Sequence, residues 1–168
     1  MESVHPLHEA LEPLAWLKGT WRTENLGHGK YPTVKDFSYY DELSFASVGQ
    51  PMFNFTAQSF SSDLKKPMHR ETGFLRVTPG TNQLTFIVAH MPFGMASIEY
   101  GEITDKSINL NGTVISEKEA TWPRITQIRR EFTLHDNCLE YVFYMATSKT
   151  PELTEHLRGK YVKVSEEA

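Results

Sequence analysis

The sequence predicts an all-β protein: an antiparallel up-and-down barrel of about ten strands with lipocalin-like architecture. Apolar and polar residues alternate with a period of two along most of the chain, and turn-forming residues separate the alternating runs. Helical periodicity is confined to two short segments. Sheets with one apolar face must protect their edges, and closure into a barrel removes those edges. Because a barrel this wide is not filled by side chains alone, an internal cavity is expected.

The elements follow in chain order. A short helix is predicted from His8 to Lys18, and the first clear alternation runs over 37–45, where Asp41 interrupts the apolar face. Further strands are predicted at 52–60, 70–78, 83–91, 95–104, 107–116, 124–135, 139–145 and 158–165. Turn signals at 78–80, 104–106 and 135–137 separate several of them. One helical turn is predicted near 151–156, before the last strand.

Length and composition favour a single domain spanning residues 1–168. The chain is 39% hydrophobic and contains 10 Phe, 7 Tyr and 3 Trp, which suffices for one sizeable core. Its 17 basic and 21 acidic residues give a formal charge of -4, so neither nucleic acid nor an anionic membrane is an expected partner. No run of apolar residues has the length of a membrane span, and the N-terminal segment lacks the pattern of a signal peptide.

A single cysteine, Cys138, excludes a disulfide framework and a thiolate zinc finger. This usage favours a reducing, intracellular location, in the cytoplasm and also the nucleus.

The stretch GTWRTENLGHGKYPTV, residues 19–34, is predicted as a glycine-rich loop. It matches neither GxGxxG nor GxxxxGK[ST] and no helical pattern follows it, so phosphate binding is not expected. We expect Trp21 to pack across one end of the barrel, while the glycines let the chain turn sharply.

The seven histidines divide into two groups. Those expected to be solvated are His5, His8, His28 and His135, and those able to point into the barrel are His69, His90 and His156. No two fall at HxxxH or HxH spacing, so a metal held by several side chains is not predicted.

Other catalytic patterns are also missing from the sequence. There is no GxSxG motif, and the carboxylate pairs Asp41–Glu42 and Glu117–Glu119 are predicted to be solvated. Chemistry would therefore come from a group bound in the cavity, without an organised acid/base pair from the protein.

Several motifs in a fixed order carry a family resemblance. They are GTW at 19–21, GxGxYPT at 27–33, VGQPMFNF at 48–55, KPMHRETGF at 66–74 and MATSKTPELTEHL at 145–157. In these motifs the chain resembles the nitrobindin family, most closely its animal branch, which includes the heme-binding C-terminal domain of a THAP-domain protein. The resemblance runs from Leu14 to Val164.

The resemblance implies a ten-stranded barrel that holds one heme b per chain, with His156 as the axial iron ligand. It also implies that Thr33 contacts the heme. The further cofactor-binding candidates are Met68, His69, His90 and Met145. Similar proteins bind nitric oxide and isomerise peroxynitrite to nitrate, so the resemblance implies a heme-dependent peroxynitrite isomerase with both molecules as partners.

The sequence departs from the family pattern in places. His90 stands where relatives tend to have glutamine, so an inward His90 would become a second iron ligand or a donor to a bound ligand. Compared with the family pattern, the segment KTPEL has one apparent additional residue before His156, which shifts the register of this expected iron ligand.

Two other functions stay open on the sequence. One is a nitric oxide sensor or interaction module, and the other is a lipocalin-like carrier of a small hydrophobic ligand. A homodimer is kept as a candidate assembly.

Overall fold

Alternation of inward and outward side chains produces eleven strands that form one closed antiparallel sheet. The computed structural model describes residues 5–92, 94–116 and 123–166. The elements are a 3₁₀ helix (Glu9–Leu17), β1 (Gly19–Thr23), β2 (Gly27–Tyr31), β3 (Val34–Gln50), β4 (Met52–Ser61), β5 (Pro67–Val77), β6 (Gln83–Met91), β7 (Met95–Thr104), β8 (Ser107–Ser116), β9 (Ile125–His135), β10 (Cys138–Thr147) and β11 (Thr154–Ser165).

The eleven strands fill ten positions around the barrel. β3 to β11 pair in chain order, each antiparallel to the next, while β1 and β2 both pair with β3 on one side and β11 on the other. These two short strands therefore lie in line and share one position, interrupted at residues 24–26. The predicted ten-stranded antiparallel barrel is confirmed.

One end of the barrel is closed by the helix and an aromatic core. Leu11, Leu14 and Leu17 are fully buried, because their spacing of three places them on one face of a 3₁₀ helix. Trp21 is 1% exposed, and its Nε1 donates to the carbonyl oxygen of Leu17 at 2.9 Å. The prediction that Trp21 packs across one barrel end is confirmed. The phenylalanines packed behind this end are Phe45, Phe53, Phe55, Phe86 and Phe132.

Two local predictions are wrong. The stretch 19–34 is not a loop, since most of it forms β1 and β2, with a turn only at 32–33. No helical turn occurs at 151–156, because Thr154 already pairs with Met145 as β11 begins. In both places, pairing with distant strands outweighs the local turn signals.

The short helix is the only helix among the described residues, and it is neither long nor apolar enough to cross a membrane. The predicted pair Glu117–Glu119 lies outside the described residues.

Candidate functional site

The end of the barrel opposite the helix contains a cavity of about 520 Å³. This volume lies within the range of about 300–1,000 Å³ that is typical of small-molecule sites. Its mouth is formed by residues of the turns between strands, including Thr33, Lys66, Pro92 and Pro123. The interior of the barrel is therefore divided between a packed core at the helix end and a ligand-sized cavity at the other end.

His156 reaches the cavity because of a β-bulge in β11. Phe143 of β10 pairs with Leu157 and the next residue, Tyr144, pairs with Glu155, so His156 is the additional residue. Strict alternation would point only one of two successive residues inward, yet His156 and Leu157 both line the cavity.

The imidazole of His156 is oriented by its neighbours. Its Nδ1 lies 3.0 Å from the carbonyl oxygen of Lys30, which accepts the Nδ1 hydrogen and leaves the lone pair on Nε2. The rings of Tyr31, Phe37 and Phe143 contact it edge-on, with centroids 5.6, 6.0 and 6.4 Å away. Burial lowers the pKa of His156, although the hydrogen bond to Lys30 partly opposes this. The ring is therefore a neutral base with one nitrogen available as a ligand.

The glycines of β2 make room for aromatic side chains of β3. A Cβ added to Gly29 would lie 2.2 Å from Cζ of Phe37, and one added to Gly27 would lie 2.4 Å from Cζ of Tyr39. Both rings therefore lie across the bare backbone of β2. Gly27 and Gly29 do not serve a turn, as the sequence suggested: Gly27 accommodates Tyr39, and Gly29 allows Phe37 to reach His156.

Three further heme candidates lie at the mouth of the cavity. Thr33 is exposed in the turn between β2 and β3, Met68 is half-buried on β5, and Met145 is buried on β10. All three line the cavity. With Phe37 and Phe143 they give the mouth a largely apolar wall.

The inner wall of the cavity carries a buried ionic cluster. Arg130 donates through Nη1 to Oε2 of Glu71 at 2.7 Å and through Nε to both carboxylate oxygens of Glu99 at 3.0 Å. Its guanidinium lies between two aromatic rings, 5.4 Å from the centroid of Phe86 and 5.1 Å from that of Phe143. Gly112 leaves space for Glu99, since an added Cβ would lie 2.5 Å from its Cγ.

The charges of this cluster shift one another's pKa values. Burial alone would raise the pKa of Glu71, but Arg130 and His90 outweigh it and hold that pKa well below its usual range. Burial raises the pKa of Glu99, partly opposed by Arg130. Burial would lower the pKa of Arg130, but Glu71 and Glu99 raise it further, so the guanidinium stays charged.

His69 and His90 flank Glu71. His69 Nε2 lies 2.8 Å and His90 Nδ1 3.1 Å from the same oxygen, Oε1 of Glu71. His90 points inward with no solvent exposure of its side chain, and its Nε2 lies 2.9 Å from Oγ of Ser97. Both ring nitrogens of His90 are therefore engaged by protein groups. A carboxylate hydrogen-bonded to two histidines therefore forms part of the cavity wall.

Asp41 also faces the cavity, contrary to the prediction of a solvated carboxylate. Its Oδ2 accepts a hydrogen bond from the hydroxyl of Tyr161 at 2.8 Å. Burial raises the pKa of Asp41 to about 7, while the Tyr161 hydrogen bond lowers it and the charge of Glu71 raises it further. The interruption of the apolar face of β3 thus places an ionisable group inside the barrel.

The remaining histidines lie away from the cavity. His5, His28 and His135 are exposed, as predicted, although His28 belongs to β2 and not to a loop. His8 is half-buried, and its Nδ1 accepts the backbone N–H of Ala10 at 3.1 Å as the N-cap of the helix.

A sequence signal for the ionic cluster existed. Glu99 lies four positions after the buried Met95 in β7, and Arg130 lies two positions after the buried Ile128 in β9. Residues separated by an even number of positions on a strand point to the same face. Charged residues at inward positions of predicted strands therefore indicated a polar cavity wall.

The site fits a flat, largely apolar cofactor that needs one axial nitrogen. The apolar mouth has room beside His156, and the oriented ring supplies a neutral nitrogen there.

Comparison with known proteins agrees with this geometry. A family model described as the THAP4-like, heme-binding beta-barrel domain matches residues 10–163. Peroxynitrite isomerase THAP4 of Homo sapiens is 39% identical over 161 residues, which is 95% of this chain and 28% of that protein. Peroxynitrite isomerase of Nocardia farcinica (strain IFM 10152) is 36% identical over 155 residues, covering 90% of this chain and 89% of that protein.

The crystal structure of Rv2717c from M. tuberculosis superposes with a TM-score of 0.82 at 32% identity. The match covers 94% of this chain and 99% of that one. The chain spans only 28% of the length of its human relative, so the similarity there concerns one part of a longer protein.

Proposed function

Because the chain belongs to the nitrobindin family of THAP4-like, heme-binding beta-barrel domains, we propose that it isomerises peroxynitrite to nitrate with one ferric heme b in its cavity. The observation that carries this proposal is His156, whose Nδ1–H is donated to Lys30 so that Nε2 offers its lone pair at the cavity mouth. The relatives named peroxynitrite isomerase support the choice of reaction.

The protein's first contribution is to hold the cofactor. His156 would bind the heme iron through Nε2, and the aromatic rings around it limit its rotation. Met68 and Met145 supply apolar contacts, and Thr33 and Lys66 are polar groups at the rim. When bound, ferric heme supplies a Lewis-acidic iron at which peroxynitrite rearranges.

The second contribution is enclosure. A cavity inside the barrel would keep bulk water away from the reacting molecule, which favours isomerisation over release. The guanidinium of Arg130 and the imidazole of His69 lie on the cavity wall, where they offer hydrogen-bond donors to a small oxyanion. Nitric oxide, which is small and uncharged, is a further proposed ligand of the same iron.

A carrier of a hydrophobic tail is less well supported. An apolar ligand filling this cavity would be placed against Asp41, Glu71 and Arg130 and would separate them from water. Burying charged groups against an apolar surface is costly.

Hemin titration tests the proposal. We expect the full chain to bind hemin with a sharp Soret band, and the His156→Gly variant to lose it and to regain it with added imidazole. His28→Gly, which removes an exposed histidine from the neighbouring strand, is the matched control and should bind normally.

Stopped-flow mixing of the hemin-loaded chain with peroxynitrite should then show faster decay, nitrate as the product and less nitration of added phenol. Unchanged hemin binding in His156→Gly, or peroxynitrite decay at the rate of buffer alone, would contradict the proposal.

A further inference from the structure

Three potential metal ligands meet on the inner wall of the cavity, on strands other than the one that carries His156. They are Nε2 of His69, Oε1 of Glu71 and Nδ1 of His90, all within 4.8 Å of one another. His69 and Glu71 are two residues apart on β5 and share its inward face, while His90 is the cross-strand partner of Glu71 on β6. Two rigid strands therefore place these atoms together.

The spacing of the three atoms suits a metal ion. Glu71 Oε1 lies 2.8 Å from His69 Nε2 and 3.1 Å from His90 Nδ1. Metal bonds of about 2.0–2.2 Å in a tetrahedral site separate neighbouring ligand atoms by roughly 3.4 Å. The two histidine–carboxylate distances would thus need to lengthen by about 0.6 and 0.3 Å, while the two histidine nitrogens lie within 4.8 Å of each other.

The hydrogen bonds of His90 orient its Nδ1 towards Glu71. Ser97 donates its hydroxyl hydrogen to Glu99 at 2.7 Å, so its oxygen can accept from Nε2–H of His90. Arg130 Nη2, 3.5 Å from that same nitrogen, is at the outer limit of a hydrogen bond. In the tautomer with its hydrogen on Nε2, the Nδ1 lone pair of His90 faces Oε1 of Glu71, where both atoms can bind one cation.

Carboxylates adjoin the three ligand atoms. Glu71 and Glu99 both pair with the guanidinium of Arg130, and Asp41 lines the same cavity as Glu71. A cation held by His69, Glu71 and His90 would therefore lie near oxygen atoms that attract it.

Two of the three ligands are held in position by a further group. Glu71 is bound through its second oxygen by Arg130 and His90 through its second nitrogen by Ser97. This pattern of outer contacts is typical of metal sites. The geometry points to a binding site for one borderline divalent cation such as Zn²⁺ or Fe²⁺, held by His69, Glu71 and His90 with an open position facing the cavity.

Zn²⁺ titration by calorimetry tests this site. The full chain and its His156→Ala variant, which lacks the proposed heme ligand, should each bind one Zn²⁺. His69→Gln and His90→Gln should each weaken binding at least tenfold. His28→Gln, which alters an exposed histidine beside a carboxylate, is the matched control and should bind as the unaltered chain does.

Co²⁺ used in place of Zn²⁺ should give ligand-field absorption bands that disappear in His69→Gln. The side chain of His69 is 26% exposed, so this variant is expected to fold, which circular dichroism checks. Absence of saturable Zn²⁺ binding, undiminished binding in both histidine variants, or binding that requires His156 would each overturn the inference. Because His156 is not one of the three ligands, failure of this site is distinguishable from failure of heme binding.

Discussion

Nδ1 of His156 lies 3.0 Å from the carbonyl oxygen of Lys30, a residue 126 positions earlier in the chain. The contact joins β11 to β2 across the closure of the barrel, where Leu157 pairs with Gly29. A backbone carbonyl that accepts the Nδ1 hydrogen sets the tautomer, so the nitrogen facing the cofactor site depends on barrel closure. The properties of this histidine are consequently properties of the closed fold.

Hemin affinity should be insensitive to pH near neutrality and fall on acidification. Burial lowers the pKa of His156 below the ordinary value of 6.5, so the ring is neutral at pH 7. Protonation of Nε2 removes its lone pair and releases the iron, with a midpoint below pH 6.5. Hemin affinity measured from about pH 5 to 8 checks this. A loss of affinity that begins above pH 7 would contradict it.

Gly29→Ala should weaken hemin binding. The added Cβ lies 2.2 Å from Cζ of Phe37, whose ring must then move away from His156. We expect about 1–3 kcal/mol of destabilisation and a lower hemin affinity. Gly80→Ala is the matched control, because an added Cβ there would have no atom within 4 Å. The φ of +78° at Gly80 would nevertheless strain an alanine backbone by about 1 kcal/mol. Urea unfolding should register both changes, and hemin titration only the first; equal hemin affinities would argue against the packing role of Phe37.

Arg130→Met should destabilise the fold strongly. It leaves Glu71 and Glu99 buried without their cation, which costs about 3–5 kcal/mol. Arg158→Met removes an arginine that pairs with Glu140 and Glu155 at the surface, and should cost less than about 1 kcal/mol. Urea unfolding measures the free energy of unfolding of both variants. Equal losses of stability would contradict the expectation that the buried ion pairs matter more than the exposed ones.

Asp41→Asn should change how stability depends on pH. The pKa of Asp41 is raised from 3.8 to about 7 in the folded chain, so the folded state binds more protons than the unfolded state between these values. The contribution of Asp41 to the free energy of unfolding is fully present below pH 3.8 and is lost as pH rises through about 7.

Relative to the unaltered chain, the variant should therefore gain about 2–3 kcal/mol of stability between about pH 5 and 8, an upper value because Asp41 faces the cavity. Comparing the two chains cancels titrations that they share, including that of His156, whose lowered pKa acts in the opposite direction. Asp105→Asn, in an exposed turn, is the control for removing a carboxylate. Parallel stability curves for Asp41→Asn and the unaltered chain would count against an ionisable Asp41 inside the barrel.

Much of the fold could be predicted because strand periodicity is a local property. The bounds predicted for β6, β7 and β8 agree with the structure to the residue, since period-two alternation and turn residues mark these strands directly. β1 and β2 were missed because glycines replace the inward side chains of β2, and the aromatic rings that cover Gly27 and Gly29 belong to β3. The aromatic rings of β3 take the place of the missing β2 side chains, and this becomes apparent only when the two strands are paired.

The candidate site divides in the same way. Motif order alone pointed to His156 and to the mouth residues Thr33, Met68 and Met145, which do line the cavity. Sequence could not show that His156 occupies a bulge, because a bulge is defined by the register of β11 against β10. It also could not show that His69, Glu71 and His90 converge.

By itself, the sequence determined most of the strand content, nine of the ten positions of the barrel, the existence of a cavity and the motifs of the family. The tertiary structure alone decided the tautomer of His156, the convergence of two histidines on Glu71, and the pairing of Arg130 with Glu71 and Glu99. The physical reason is the range of the interactions. Side-chain alternation acts over two residues, whereas hydrogen bonds and charges act between residues that only barrel closure and strand register bring together.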